Sequence, residues 1–214
     1  MNGKEEISTP DVCLLEKVLE EAGIGVYRDR LEQLIVHAAE MLRWNRSVRL
    51  TAIVDPLEVA VKHIADSLAL LKFAPFPGRL LDFGSGAGYP GVPLALYLPG
   101  TQVVLLESSV KKCAFLSRVR GMLRIRNLTI VNAKARPGET LPIGKFDDIV
   151  TRATASPLDV APLMSPYLAE GGRMLFMEGP GAVEGRKIPG TVVRRERFFL
   201  PCGMGEREIV EVVP

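Results

Sequence analysis

A glycine-rich loop between an apolar strand and an apolar helix constrains the fold of this chain most strongly. The segment LLDFGSGAGYPGVPLAL, residues 80–96, places Asp82 at the end of the strand, and Gly84, Gly86 and Gly88 follow it. Glycines at alternate positions allow positive φ and a close approach of a ligand. The helix that follows presents free N–H groups at its N-terminus. Strand, loop and helix in this order predict a ligand site at the carboxyl edge of a parallel sheet.

A carboxylate stands at the end of the next predicted strand. Glu107 ends the run QVVLLE, 23 residues beyond Gly84, where it can accept hydrogen bonds from both hydroxyls of a ribose. The glycine spacing is G-x-G-x-G rather than G-x-G-x-x-G, and Asp82 lies two residues before the first glycine. Because an acid at this place would repel a pyrophosphate, these features argue against a dehydrogenase. They favour a ligand with a cationic amino acid end, such as S-adenosylmethionine.

The remaining chain predicts a doubly wound α/β fold. Apolar residues at helical spacing occupy much of the first 75 residues, and a third helix is expected from Asp55-Pro56 to about Leu71. Between the first few predicted strands lie stretches long enough for one helix each, which is typical of parallel βαβ units. We therefore predict a helical cap over residues 1–75 and a Rossmann-like domain over 76–214, joined in one compact unit. The predicted strands are 79–83, 102–107, 128–132, 146–150 and 173–177, with an antiparallel edge pair at 191–195 and 208–213.

Composition excludes several classes of protein. The chain has 214 residues, of which 47% are apolar and 24% charged, the balance of a globular protein with a full core. Its apolar runs stay shorter than the roughly 18 residues that span a bilayer, and its polar N-terminus does not resemble a signal peptide. Three widely separated cysteines indicate a reducing compartment and neither a disulfide framework nor a zinc site. We expect a cytoplasmic monomer without a metal.

Positive charge is concentrated in one segment. Residues 111–136 contain eight lysines and arginines and no acid, and such a local field attracts anions whatever the net charge. Lys111, Lys112 and Arg118 are our candidates for contacts with RNA phosphates. A solvated helix face balanced by acids elsewhere is the alternative. A further group of basic residues lies near the C-terminus: Arg186, Lys187, Arg194, Arg195 and Arg197.

The motif D-F-G-S-G-A-G-Y-P-G-V-P-L, residues 82–94, resembles the core motif of the glucose-inhibited division protein B family, the 16S ribosomal RNA guanine-N7 methyltransferases. The resemblance implies a class I methyltransferase fold with an N-terminal helical extension. It also implies S-adenosylmethionine as donor, N7 of a guanine as acceptor, and 16S ribosomal RNA or a precursor of the small ribosomal subunit as partner. Similar segments are W-N-R-S-V-R-L-T-A-I (44–53), K-H-I-A-D-S-L (62–68), L-L-E-S-S-V-K-K-C-A-F-L (105–116), F-D-D-I-V-T-R-A-T-A-S (146–156) and, more loosely, R-E-I-V (207–210).

The same resemblance implies the residues that contact the cofactor. They are Gly84 and Tyr89 of the loop, Glu107, the backbone of Ala135 and Arg136, and Arg152. Three positions depart from the family pattern: Arg49 replaces an asparagine, Arg136 an acid, and Glu178 a lysine.

Methyl transfer to guanine N7 needs alignment more than acid–base catalysis. The N7 lone pair is unprotonated at neutral pH, so no proton must leave before attack, and proximity and orientation supply most of the rate. We accordingly assign no certain catalytic residue. Arg152 is a candidate for positioning the cofactor carboxylate or an RNA phosphate, or it forms a plain salt bridge. His63 and Asp66 share a helix face and either pair with each other to tie the cap to the sheet or line the mouth of the substrate site.

Two other functions remain open at this point. A class I methyltransferase could act on a small molecule or a protein, and a member of this fold could bind RNA without turnover. Weakening of RNA binding by salt distinguishes an RNA methyltransferase from the first of these, and labelled methyl transfer to RNA distinguishes it from the second.

Overall fold

The computed structural model describes residues 8–152, 156–179 and 189–214, and within these ranges the strands form one seven-stranded sheet. The sheet has the order β3-β2-β1-β4-β5-β7-β6 once its strands are numbered along the chain. They are β1 Arg79–Phe83, β2 Gln102–Glu107, β3 Leu128–Asn132, β4 Phe146–Arg152, β5 Leu168–Glu178, β6 Thr191–Phe199 and β7 Glu206–Val213. Strands β1 to β5 pair in parallel, whereas β7 pairs antiparallel with both β5 and β6. The predicted doubly wound sheet with an antiparallel edge is confirmed.

The strand order identifies the edge of the sheet at which a ligand is expected to bind. The chain proceeds from β1 to β2 and β3 on one side and then returns to β4 on the other side of β1. Open α/β sheets bind ligands at this reversal, beyond the carboxyl ends of the strands. Phe83 of β1 is in register with Leu106 of β2, so the glycine loop and Glu107 leave the sheet side by side.

Local sequence explains where the helices begin. Asp11 accepts a hydrogen bond from the Leu14 amide, Asp55 from that of Glu58, and Ser109 from that of Lys112, and such caps satisfy amides that have no partner within the helix. The α-helices are α1 Val12–Glu21, α2 Arg28–Asn45, α3 Pro56–Glu58, α4 Asp66–Leu68, α5 Gly91–Tyr97, α6 Val110–Leu123 and α7 Pro157–Met164.

The third predicted helix has an irregular backbone that periodicity did not indicate. A π-helical segment, Val59–Ala65, joins α3 to α4, and a 3₁₀ turn, Ala69–Phe73, completes the run. Within the π segment every residue except Lys62 is buried. Because the segment is packed on several sides, its tertiary contacts determine its backbone conformation, and the spacing of its apolar residues does not indicate it. Segments of this kind are frequent at functional sites, and this one carries His63.

The sheet is covered on both faces, and the N-terminal helices share its core. Leu80 and Leu105 face the layer that contains α1, α2, α5 and α6, whereas Leu81 and Leu106 face α7. Alternation along each strand separates the two layers. Buried residues of α1 and α2 belong to the same apolar cluster as Leu80. Among the described residues, no helix is long and apolar enough to cross a membrane.

Candidate cofactor and substrate site

A cavity of about 530 Å³ opens at the carboxyl ends of β1, β2 and β4. Its volume lies in the range typical of small-molecule sites. The walls come from the glycine loop, the start of α6, the connection after β3, the end of β4, and α7. The lining residues are Leu50, His63, Phe83, Gly84, Ser85, Gly86, Ala87, Tyr89, Leu106, Glu107, Ser108, Lys112, Ala133, Lys134, Ala135, Arg152, Val160 and Leu163.

The glycines of the loop have different roles. Gly84, Gly86 and Gly88 all have positive φ, at 82°, 56° and 86°. A Cβ at Gly86 would approach nothing closer than 3.9 Å, whereas one at Gly88 would lie 2.8 Å from Val92 Cγ2. Gly86 therefore leaves space for a ligand, and Gly88, which does not line the cavity, allows the loop to pack against α5.

Glu107 holds the glycine loop and faces the same cavity. Its Oε2 accepts a hydrogen bond from the Gly86 amide at 2.9 Å, and its Oε1 accepts one from the Ser109 amide at 2.7 Å. The Ser108 hydroxyl also donates to Oε1, at 3.4 Å. A carboxylate has about four lone-pair positions, so these three donors leave acceptor capacity for a further hydroxyl. The predicted ribose acceptor is thus placed at the cavity and preorganised by its backbone contacts.

Asp82 lies behind the loop rather than in the cavity wall. It is buried, and its Oδ2 accepts a hydrogen bond from the Gly91 amide at 2.9 Å. Burial raises the pKa of Asp82 to about 7. Successive strand side chains point to opposite faces, so Phe83 contributes to the wall of the cavity while Asp82 secures the start of α5. Asp82 is not among the residues that line this cavity, so the predicted contact between its carboxylate and the amino group of a cofactor is not supported.

Of the residues predicted in the basic segment and after the third strand, some line the cavity and others lie outside it. Lys112 and Ala135 line the cavity, whereas Lys111 and Arg136 are exposed outside it. Arg136 pairs with Glu139 at 3.4 Å. Arg118 forms an ion pair with Glu40 of α2, which ties α6 to the N-terminal helices. Residues 153–155 of the R-A-T-A-S segment, together with Arg186 and Lys187, lie outside the described residues.

Arg152 joins the end of β4 to the π segment. Its Nη1 donates to the Lys62 carbonyl at 2.9 Å and lies 3.3 Å from Asp66 Oδ2, while its Nη2 donates to His63 Nδ1 at 3.1 Å. The expected direct pair between His63 and Asp66 is not formed. Both residues contact the guanidinium instead, because its fork of N–H groups can serve several acceptors at once.

His63 is held neutral by this arrangement. Since Nδ1 accepts from Arg152, Nε2 carries the proton and donates to Thr51 Oγ1 at 2.8 Å. Burial and the charge of Arg152 lower the pKa of His63 to about 3. His63 lines the cavity, as the second interpretation of the sequence expected, but it is no base for this site at neutral pH.

Tyr89 forms the centre of a stack of rings. Its ring lies between those of His37 and His63, with centroid distances of 4.5 and 4.7 Å. The Tyr89 side chain lines the cavity, and its buried hydroxyl has no hydrogen-bond partner among the described residues. A buried hydroxyl without a partner is costly, so this oxygen marks a place where a polar ligand group fits.

His37 gives the protein a pH-dependent stability. It is buried, its Nε2 donates to the Ala87 carbonyl at 2.9 Å, and burial lowers its pKa to about 4. Between pH 6.5 and about 4, His37 is protonated in the unfolded chain but neutral in the folded protein. The free energy of unfolding therefore falls as the pH falls through this range. We expect the wild type to lose about 2 kcal/mol more unfolding free energy than His37→Gln between about pH 7.5 and 5. Urea unfolding at both pH values measures this difference, and equal losses would contradict it.

Several cavity residues were not among the site residues that the sequence predicted. Leu50, Val160 and Leu163 supply apolar wall, and Lys134 adds a second cation beside Lys112. Val160 and Leu163 belong to α7, whose spacing indicates only a helix with one buried face. Their place at the cavity depends on how α7 packs beside β4.

A doubly wound sheet of this order, with a glycine loop and a strand-end acid at the reversal, defines the class I S-adenosylmethionine-dependent methyltransferases. A solved SAM dependent methyltransferase from Aquifex aeolicus shares the fold, with a TM-score of 0.56 at 16% identity over 74% of this chain and 94% of that chain. Residues 30–186 match the family rRNA small subunit methyltransferase G. The chain belongs to this family.

Relatives match nearly the whole chain. The Ribosomal RNA small subunit methyltransferase G of Geobacter sp. (strain M21) is 36% identical over 208 residues, which are 94% of this chain and 95% of that protein. The protein of the same name from Anaeromyxobacter sp. (strain Fw109-5) is 42% identical over 203 residues, covering 91% and 94%. The resemblance found in the sequence motifs is confirmed.

Proposed function

We propose that this protein transfers the methyl group of S-adenosylmethionine to N7 of a guanine in 16S ribosomal RNA, as a cytoplasmic monomer acting on the RNA or on a precursor of the small subunit. The observation that carries the proposal is the cavity between the glycine loop and Glu107. Membership of the rRNA small subunit methyltransferase G family supports RNA as the substrate over a small molecule or a protein.

The residues of the cavity fit the cofactor. Gly84 and Gly86 line the cavity, and a Cβ on Gly86 would meet nothing closer than 3.9 Å. Glu107 retains acceptor capacity for ribose hydroxyls, and the buried Tyr89 hydroxyl has no hydrogen-bond partner among the described residues. We assign cofactor contacts to these four residues and to Ala135. When bound, S-adenosylmethionine supplies an electrophilic methyl group on a sulfonium.

The surrounding residues orient the reactants rather than move protons. Guanine N7 attacks through a lone pair that is free at neutral pH, and this suits a site whose histidine, His63, is neutral and hydrogen-bonded through both ring nitrogens. Arg152 is fixed by three acceptors and borders the cavity, so it can position an anionic or carbonyl group without moving. Such preorganised placement is the main source of rate for a displacement of this type.

The target guanine must be accessible on its N7 edge. In duplex RNA this edge faces a deep, narrow major groove that side chains cannot read. The enzyme therefore requires an unpaired guanine or one presented by folded RNA. Lys112 and Lys134 at the cavity, with exposed Lys111 beside them, provide positive charge where the phosphates would approach.

The proposal is tested by methyl transfer to defined RNA. We expect the purified protein and labelled S-adenosylmethionine to form N7-methylguanine at one position of 16S ribosomal RNA, or of small subunits, from cells that lack the gene. Replacement of that guanine by 7-deazaguanine, which lacks N7, should abolish the product. Transfer to protein or small molecules alone would support the second function, and cofactor and RNA binding without transfer would support the non-catalytic one.

The basic segment should contribute unequally to RNA binding. Lys112 lies at the cavity, whereas Arg126 lies beyond the far end of α6, about 20 Å away along a helix of this length. We expect Lys112→Ala to reduce the slope of log affinity against log salt by about 0.7 to 0.9, and Arg126→Ala to reduce it less. Arg118→Ala should chiefly destabilise the fold, because Arg118 pairs with Glu40. Salt titrations of RNA binding measure the slopes, and equal slopes in all variants would identify a solvated face.

A further inference from the structure

A second cavity lies beside the cofactor cavity and shares a wall with it. Its volume is about 210 Å³, and His63 and Arg152 line both cavities. The second cavity is also lined by Ile53, Lys62, Asp66, Met177, Glu178, Gly179 and Arg207. The second cavity carries two carboxylates, those of Asp66 and Glu178. Asp66 lies next to the shared residue Arg152, with its Oδ2 3.3 Å from Arg152 Nη1.

Two residues that line this cavity have a buried polar atom without a hydrogen bond. Asp66 Oδ1 and Arg207 Nε lie 3.4 Å apart as an ion pair, yet both are buried without a hydrogen-bond partner among the described residues. The Asp66 side chain is only 2% exposed. Burial raises the pKa of Asp66, and the guanidinium groups of Arg152 and Arg207 oppose that shift by favouring the charged form. A buried carboxylate oxygen with spare acceptor capacity indicates a ligand that carries N–H or O–H donors.

The order of groups along the two cavities matches the order of groups on guanine. N7 is at one edge of the base, O6 follows it, and the N1–H and N2 amino donors lie at the opposite edge. A base that lies where the two cavities meet, at His63 and Arg152, with N7 towards the cofactor directs its donors into the second cavity. Adenine presents an acceptor at N1 there, which a carboxylate would repel.

We propose that the second cavity binds the target guanine by its Watson–Crick edge, with Asp66 and Glu178 accepting hydrogen bonds from N1–H and the N2 amino group and Arg152 donating to O6. This inference rests on the proposed function and names the residues that select the base. Enzymes that modify a base outside its stack recognise it in this way, by hydrogen bonds to the Watson–Crick edge.

The carboxylates also favour the reaction itself. As the bond between N7 and the methyl carbon forms, the carbon–sulfur bond breaks with its electron pair passing to sulfur, and the positive charge passes from the sulfonium to the base. The N1–H and N2 donors of a cationic base are stronger than those of neutral guanine. Their hydrogen bonds to Asp66 and Glu178 therefore strengthen in the transition state, and only such interactions raise the turnover rate.

The test combines a variant of Glu178 with a substrate that lacks one donor. Inosine has N7, O6 and N1–H but no N2 amino group. We compare the wild type with Glu178→Ala on 16S ribosomal RNA that carries either guanosine or inosine at the mapped position. The wild type should prefer guanosine by about tenfold or more in kcat/KM, the effect of one hydrogen bond to a charged acceptor. In Glu178→Ala the preference should fall close to unity, mainly through loss of activity on guanosine.

Controls separate this outcome from a structural effect. Glu170→Ala removes an exposed carboxylate at the other end of β5 and should retain the full preference. Cofactor affinity should be unchanged in Glu178→Ala, because Glu178 is not among the residues that line the cofactor cavity. Asp66→Asn, with folding checked by thermal melting, should lower activity on guanosine and inosine alike, since both carry N1–H.

The outcomes also separate this inference from the proposed function. Absence of N7-methylguanine with the wild type would overturn the proposed function. Formation of N7-methylguanine with equal rates on inosine and guanosine, or an unchanged preference in Glu178→Ala, would leave that function in place and overturn the base-recognition site.

Discussion

Replacing Gly86 by valine is expected to lower the affinity for S-adenosylmethionine by at least about a hundredfold, or about 3 kcal/mol. The backbone at Gly86 has a φ of 56°, and its amide is held by Glu107. A branched side chain there would occupy the space beside the loop, where a Cβ meets no protein atom within 3.9 Å. The added group therefore displaces ligand rather than protein, and the fold should persist with a modest penalty for positive φ.

A matched control isolates the effect on the ligand. Gly23, at the end of α1, has a φ of 69° and open space around its Cβ position, but it lies outside the cavity. Gly23→Val should show a similar loss of thermal stability and normal cofactor affinity. Calorimetric titration with S-adenosylmethionine measures both variants. Normal affinity in Gly86→Val would show that the glycine loop is only a structural turn.

Replacing Arg152 by methionine is expected to destabilise the protein by about 3 kcal/mol and to abolish methyl transfer. Arg152 is the partner of Asp66, a side chain that is 2% exposed, and its removal leaves a carboxylate buried with Arg207 alone. It also removes the donor that fixes the proton of His63 on Nε2. The loss combines an uncompensated buried charge with a cavity wall that is no longer preorganised.

A double-mutant cycle measures how much of this cost belongs to the pair. Asp66→Asn with Arg152→Met should be less destabilised than the sum of the single variants by about 1 to 3 kcal/mol, because the stranded charge is gone. Methyl transfer should stay absent in the double variant. Additive losses in urea unfolding would show that Arg152 and Asp66 stabilise the fold independently.

Local patterns explain why much of the fold was predictable. Short apolar, β-rich runs identified each strand of the sheet, and Asp55-Pro56 identified the start of α3. Parallel strands end at the same edge, so the proximity of Glu107 to the glycine loop followed from their order alone. The π segment was not predictable in this way, since packing on several sides determines its backbone.

The sequence by itself determined the class of fold, the glycine loop, the acid beside it and the family, because each depends on neighbouring residues or on the order of strands. Only the tertiary structure decided which side chains meet. Arg152 contacts His63 and Asp66 across 89 and 86 positions of the chain, Asp82 turns away from the cavity, and α7 supplies its apolar wall. The spacing of residues fixes which face of an element a side chain occupies, but the packing of distant elements determines what that face contacts.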